Sequence, residues 1–254
     1  MKQLLLFTFL LLSILGCQKS EKQPQELSFV QKVEKAHNKE KFNQEEMIQF
    51  DLLLSFGGQE RINAKVTLKT NSSKGKITFA DGNTIIYDGR KVYYSPELND
   101  TTVRFDAYTW SYFFLFPFKL SDSGTKWEYY TNIEKDAKKF NTEKLTFEPK
   151  TGDAPDDWYV VYSVLDSDLI QKVAYIVTNN GTKEEAEKNP HAIQYSNYQE
   201  VNGIPIATRW QFWGWNKKEG LTKQLGEASI SNLKFLKDDP SIFTPAKNLK
   251  ISVQ

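Results

Sequence analysis

The chain holds one thiol, Cys17, and two imidazoles, His37 and His191. Cys17 stands behind Lys2, an apolar run over residues 4–15 broken only by Thr8 and Ser13, and the small residue Gly16. A positive start, a short apolar stretch and a small residue form the layout of a signal peptide. The run is about a dozen residues, whereas a bilayer span needs about 20, so a transmembrane helix is the weaker reading. The histidines are poorly placed for catalysis. His37 falls near the C-terminal end of a predicted helix, where a cation is mildly favoured, and His191 follows Pro190 at a loop-to-strand step. No HExxH, GxSxG or CxxC pattern occurs, and nothing cradles phosphate. Asp153, Asp156 and Asp157 could approach Ca²⁺, but they lack the alternate-position ligands and closing Glu of an EF-hand loop. The expectation is a protein without catalytic residues, cofactor or metal. An enzyme would need one of the histidines beside a carboxylate in a concave site.

Ile14-Leu15-Gly16-Cys17 resembles the lipobox of bacterial lipoproteins, in which the cysteine is acylated and becomes the first residue. The resemblance implies a signal peptide over 1–16, then a lipidated Cys17 with a tether over 17–25, and one folded domain over 26–254. Two or more acyl chains hold a protein on a membrane where one does so only marginally. The membrane is thus the first expected partner. The tether is polar and contains Pro24, as a flexible linker should be. Gln18 stands where an Asp would retain a lipoprotein at the inner membrane. By resemblance to that sorting rule, the outer membrane is expected, with the body facing periplasm or cell surface.

Composition excludes some partners. The chain has 33 Lys and Arg against 32 Asp and Glu, and loss of residues 1–16 removes Lys2 and levels the two. Nucleic acid, which wants a basic face, is not expected. With no second thiol there is no disulfide framework, so the body must fold by its core alone. Aromatic residues make up 14% of the chain and supply ample core material.

Residues 26–38 place Leu27, Val30, Val33 and Ala36 at helical spacing and predict a short amphipathic helix. From residue 46 the period changes to two. Ile48, Phe50, Leu52, Leu54 and Phe56 share one face, and Ile62, Ala64, Val66 and Leu68 share the next. This is the alternation of strands with one dry face and one wet face. Shorter runs follow at 76–80, 84–87, 91–94, 126–130, 143–147, 158–164, 169–178, 192–198, 204–215 and 226–235. Gly57-Gly58, Asp81-Gly82, Asp88-Gly89, Asn180-Gly181 and Asn202-Gly203 lie between runs and favour tight hairpins. The prediction is an antiparallel meander. Residues 105–118 break the pattern. They are dense in aromatics, end near Pro117, and predict a helix covering an apolar surface. Polar loops are expected at 119–125, 148–157, 181–190 and 216–224.

Several segments resemble the periplasmic lipoprotein carriers and outer-membrane lipoprotein receptors that share the Lol fold. They are residues 87–96 (YDGRKVYYSP), 198–205 (YQEVNGIP) and 240–245 (PSIFTP), with the aromatic segment following the first as a lid helix does. The resemblance implies a mostly β fold. Its sheet would be strongly curved and incompletely closed, a half-barrel with an N-terminal helix and an aromatic lid helix on the concave side. It also implies an apolar cavity for an acyl chain or lipid. True carriers are not lipidated, and no exposed hydrophobic receptor loop is recognisable here.

Two functions compete. In the first, the cavity holds an apolar ligand, with Ile48, Phe50, Leu52, Val66, Leu68, Tyr94, Trp110, Phe114, Trp127 and Trp210 as lining. In the second, the interior is filled and a Trp-rich strand end with rim loops docks an envelope partner or glycan. Alternation puts Trp210 and Phe212 on one face and Trp213 and Trp215 on the other. The latter pair is either an exposed platform or local packing under the 216–224 loop.

Overall fold

A computed structural model describes residues 26–178 and 181–252. The proposed signal peptide, Cys17, the tether and Asn180 of the Asn180-Gly181 turn lie outside the described residues.

The chain begins with a helix, α1 (Phe29–Ala36), and a single further turn, α2 (Lys39–Phe42). Ser28 starts α1 with a capping box: its hydroxyl accepts from Gln31 N at 3.3 Å, while the Gln31 side chain accepts from Ser28 N at 2.9 Å. Asn38, at φ 53°, breaks the helical path between the two.

Thirteen antiparallel strands follow: β1 (Met47–Phe56), β2 (Gln59–Lys69), β3 (Lys74–Phe79), β4 (Thr84–Asp88), β5 (Lys91–Tyr94), β6 (Thr125–Tyr129), β7 (Phe140–Phe147), β8 (Tyr159–Val164), β9 (Ile170–Tyr175), β10 (His191–Val201), β11 (Ile204–Asn216), β12 (Gly220–Leu236) and β13 (Lys250–Ser252). They form one sheet in the order β13-β5-β4-β3-β2-β1-β12-β11-β10-β9-β8-β7-β6. β13 and β6 end the sheet and do not pair, so it stays open. Two meanders, β1–β5 and β6–β12, are joined edge to edge by β1 and β12, with Met47 opposite Leu236 and Phe56 opposite Gly226. Register shifts at Gln49/Asp51, Leu54/Ser55 and Phe212/Trp213 mark bulges, which bend a sheet.

The connection between the meanders carries α3 (Val103–Leu115), continued by a 3₁₀ turn over Phe116–Phe118 that contains Pro117. α3 fills the concave side. One stripe, Val103, Ala107, Trp110 and Phe114, is buried against the sheet. Phe114 stacks on Phe50 of β1 at 4.1 Å, and Trp110 meets Phe212 of β11 edge-on at 5.9 Å. Arg61 of β2 donates to both carboxylate oxygens of Asp106 at 2.9 Å, and Trp110 Nε1 donates to the same carboxylate at 3.0 Å. α3 is thereby locked to β2.

The expected division into a dry face and a wet face fails for β8 and β9. A second core on the convex side packs Trp158, Val160, Tyr162, Ala174, Ile176 and Trp215 together. The β6–β7 connection closes it by inserting Glu134, which pairs with buried Lys172 and accepts from Tyr162 OH at 2.6 Å and Trp215 Nε1 at 3.1 Å. Both faces of these strands are therefore covered. Loop 181–190 carries a short helix, α4 (Lys183–Ala186), and the expected 216–224 loop is a tight turn, since β12 already begins at Gly220.

Candidate functional site

A second stripe of α3, Phe105, Tyr108, Thr109 and Tyr112, is only half-buried and faces a cleft of about 410 Å³. The opposite wall is Phe147 at the end of β7, Tyr159 at the start of β8, and Tyr175 and Val177 at the end of β9. Tyr87 of β4 and the Gly89-Arg90 turn close one side. Tyr87 points there because Gly75 on β3 leaves room: a Cβ at Gly75 would stand 2.2 Å from the Tyr87 ring. The cleft draws its lining from both ends of the open sheet, whereas β1, β2 and β10–β12 contribute nothing.

Two polar straps cross the rim. Arg104 of α3 donates to Arg90 O at 2.8 Å and to Asp153 Oδ2 at 2.6 Å, with its guanidinium 5.2 Å from the Tyr108 ring centre. Lys119 pairs with Asp122 and donates to Ser72 Oγ at 2.8 Å. Tyr108 OH donates to Gly89 O at 2.9 Å.

The cleft lining includes the buried Asp157. Thr178 N and Thr178 Oγ1 both donate to its Oδ1, at 2.8 and 2.7 Å. Its Oδ2 has no hydrogen-bond partner, and no cation pairs with it, among the described residues. Burial pushes its carboxyl up to about 6, against the opposing pull of the Thr178 hydrogen bonds. Tyr112, Tyr159 and Tyr175 share the lining with it, with Tyr112 and Tyr159 ring centres 5.6 Å apart and Tyr159 and Tyr175 6.3 Å apart. Burial raises all three phenols, and the charge of Asp157 acts in the same direction on each.

None of the ten residues expected to line a cavity borders this cleft; two of them, Phe114 and Trp210, border a separate small void of about 10 Å³ with His37, Phe118, Tyr195 and Tyr198. Ile48, Phe50, Leu52, Val66, Leu68, Tyr94, Trp110, Phe114 and Trp210 are buried in the main core, and none touches the cleft. Trp127 is half-buried, packs on Phe29 of α1 at 5.6 Å and donates to Leu120 O at 2.8 Å. Phe114 of α3 stacks on Phe50 and lies 6.5 Å from Trp210 between ring centres. Of the two readings of the Trp-rich strand end, Trp215 shows packing: it is buried on the convex side against Trp158. Trp213, displaced by the bulge, is half-buried.

The chain is similar to the LolA superfamily protein NE2245 of Nitrosomonas europaea, with a TM-score of 0.57 at 13% identity, over 86% of this chain and 99% of that one. The fold is LolA-like. A DUF1329 family protein of Desulfovibrio piger aligns with a TM-score of 0.38 at 10% identity, over 84% of this chain and 95% of that one. No protein-family model matches the chain, and no curated protein does.

Within this LolA-like frame the histidines are apart from the cleft lining. His37 caps α1 in the interior and accepts from Ile170 N at 3.1 Å through Nε2, which ties the N-terminal helix to β9. Burial lowers its pKa to about 3. His191 is half-buried beside Tyr175, its pKa also lowered by burial. No group of three His, Cys, Asp or Glu is placed to hold a metal among the described residues, and no helix among them is long and apolar enough to cross a membrane. Phe105, Tyr108 and Tyr112 fall in the aromatic segment expected to form the lid helix, whereas Tyr159 and Tyr175 were missed, although the sequence holds a trace of them. Tyrosine rather than Phe or Trp predominates on the cleft side, and its hydroxyl calls for a polar or wet neighbour.

Proposed function

We propose that the protein is a non-enzymatic lipoprotein that holds an apolar ligand, an acyl chain or lipid, in the cleft between α3 and the ends of β7–β9. The observation that carries this is the cleft's position. The sheet does not close, and the space left at its seam is concave, walled by Phe105, Tyr112, Phe147, Tyr159 and Val177. Its volume falls within the range of about 300–1,000 Å³ usual for small-ligand sites, which are apolar with a few placed polar groups. Ligand retention would rest on hydrophobic burial. The anchor would be lipid on Cys17, holding the body to the outer membrane. Metabolic labelling with palmitate tests this part. The wild-type chain should take up label and the Cys17→Ser chain should not.

Every element described lies beyond residue 25, so a chain beginning at Gln18 contains all of the described elements. Native mass spectrometry with lipid extraction on that form is the decisive experiment. Co-purified lipid should be present, and lost in Phe105→Asp and Phe147→Asp variants that keep the wild-type far-UV circular dichroism. A mass that stays bare after exposure to fatty acids and phospholipids would overturn the proposal.

A further inference from the structure

The end of the cleft that holds Asp157 is built unlike the rest of it. Asp157 is a buried carboxylate with no counter-ion among the described residues, and Thr178 satisfies only one of its oxygens. The other acids of the lining have partners: Asp153 pairs with Arg104 and Asp122 with Lys119. Tyr112, Tyr159 and Tyr175 also bring three aromatic rings to the same place, and their hydroxyls have no hydrogen-bond partner among the described residues. A buried negative charge is costly unless paired, and the faces of aromatic rings attract cations.

We infer that this end of the cleft receives an ammonium group, with Asp157 as its counter-ion and Tyr112, Tyr159 and Tyr175 as its aromatic walls. The inference rests on the proposed lipid-binding function and narrows it to an amphiphile whose polar end is an amine. The apolar chain would run outward along Phe105, Phe113 and Phe147. The ammonium would donate to Asp157 Oδ2 and displace water from the tyrosine rings. Arg90, at the rim, would then face any phosphate attached to the amine.

Isothermal titration of the Gln18 form at pH 8 with dodecylamine, dodecanol and dodecanoate tests this, because the three share one chain and differ only in the head. Dodecylamine should bind at least about tenfold more tightly than the other two, as a charge-assisted hydrogen bond implies. Asp157→Asn should bring the amine to the level of the alcohol and leave the alcohol unchanged. Tyr112→Leu, on the half-buried face of α3, should reduce the amine's advantage about threefold. If the alcohol and the fatty acid bind as well as the amine to the wild-type protein, this inference is overturned and the lipid-binding proposal stands. If none of the three binds, both fall. The wild-type ranking decides even should Asp157→Asn not fold, and a folded Asp157→Asn that keeps the preference also overturns the inference. Lysophosphatidylethanolamine against lysophosphatidylglycerol of equal chain length then separates the sources. Preference for the former assigns the amine to a lipid headgroup, and equal binding of the two beside tight dodecylamine binding assigns it to a free long-chain amine.

Discussion

The two flanks of α3 are made of similar residues and do opposite things. On one flank Val103, Ala107, Trp110 and Phe114 are buried in the main core against β1, β11 and their neighbours. On the other, Phe105, Tyr108 and Tyr112 look across a cleft at β7–β9. Both stripes are aromatic, so hydrophobicity does not separate them. The sheet does. Strands β2-β1-β12-β11-β10 form a continuous ladder, and the helix flank lying over it leaves only a void of about 10 Å³ beside Phe114 and Trp210. The other flank lies over the seam between the unpaired ends of the sheet, where side chains from two separate walls must meet. The lesson is that an open sheet holds its vacancy where it fails to close, and the filled half acts as the scaffold.

Cutting into the filled flank should have the largest effect. Phe114→Ala removes a ring stacked on Phe50 and should cost about 3–5 kcal/mol in urea unfolding. Phe147→Ala, half-exposed at the cleft, should cost no more than about 1 kcal/mol and weaken ligand binding instead. Equal destabilisation by the two would mean that the flanks do not differ in packing.

Acid separates the main core from the cleft, because His37 at the end of α1 and Asp157 in the cleft lining shift in opposite directions. His37 has its pKa lowered from 6.5 to about 3. Below pH 6.5 the unfolded chain takes a proton that the folded protein refuses, so stability is lost as pH falls through that window. Asp157 has its pKa raised from 3.8 to about 6. Between those values the folded protein takes a proton that the unfolded chain does not, so stability is gained as pH falls. Each contributes about 1.4 kcal/mol per pH unit inside its window. In wild type the contributions largely cancel between about pH 6 and pH 4. Asp157→Asn should therefore steepen the acid loss of stability, and His37→Asn should flatten it. Urea midpoints at pH 7, 6, 5 and 4 check both slopes, and parallel curves for the two variants would refute the assignment.

The smallest expected effect belongs to the rim. Arg104→Met releases the strap between α3, Arg90 and Asp153. Global stability should change by no more than about 1 kcal/mol, as for partly exposed ion pairs. Hydrogen exchange over residues 148–157 should nonetheless accelerate, and bound lipid should leave faster. An unchanged exchange pattern would show that the loop is held by something else.

Much of the fold was legible in the sequence, since a period of two and a glycine turn are local facts. Lys91–Tyr94 stands as a strand within its expected bounds, and Gly57, Gly58, Gly82, Gly89 and Gly203 all take the positive φ their turns require. β13 was not legible. Three residues cannot show alternation, and Lys250–Ser252 is a strand only because β5 offers an edge. The convex core was hidden for a different reason. Glu134 and Lys172 read as surface charges, and only their pairing under Trp215 and Tyr162 makes them interior. The position of the cleft was hidden for a related reason. Alternation and helical spacing tell which residues turn inward, and Ile48, Phe50, Trp110 and Trp210 do so. They do not tell which inward residues meet a neighbour and which meet a gap.

The junction of β1 with β12 has a consequence for how the chain is made. Every other neighbouring pair in the sheet except β5–β13 is consecutive in sequence and can form as a local hairpin. β1 must wait for residues 226–236 before its second edge is covered. Until then a ten-residue strand carrying Ile48, Phe50, Leu52 and Leu54 presents open hydrogen-bonding groups beside an apolar face. Such edges recruit other strands, and contacts so distant in sequence form slowly. The finished molecule is thus protected by its last long strand, and a chain stopped short of β12 should be a target for chaperones and for aggregation rather than a smaller version of the same protein.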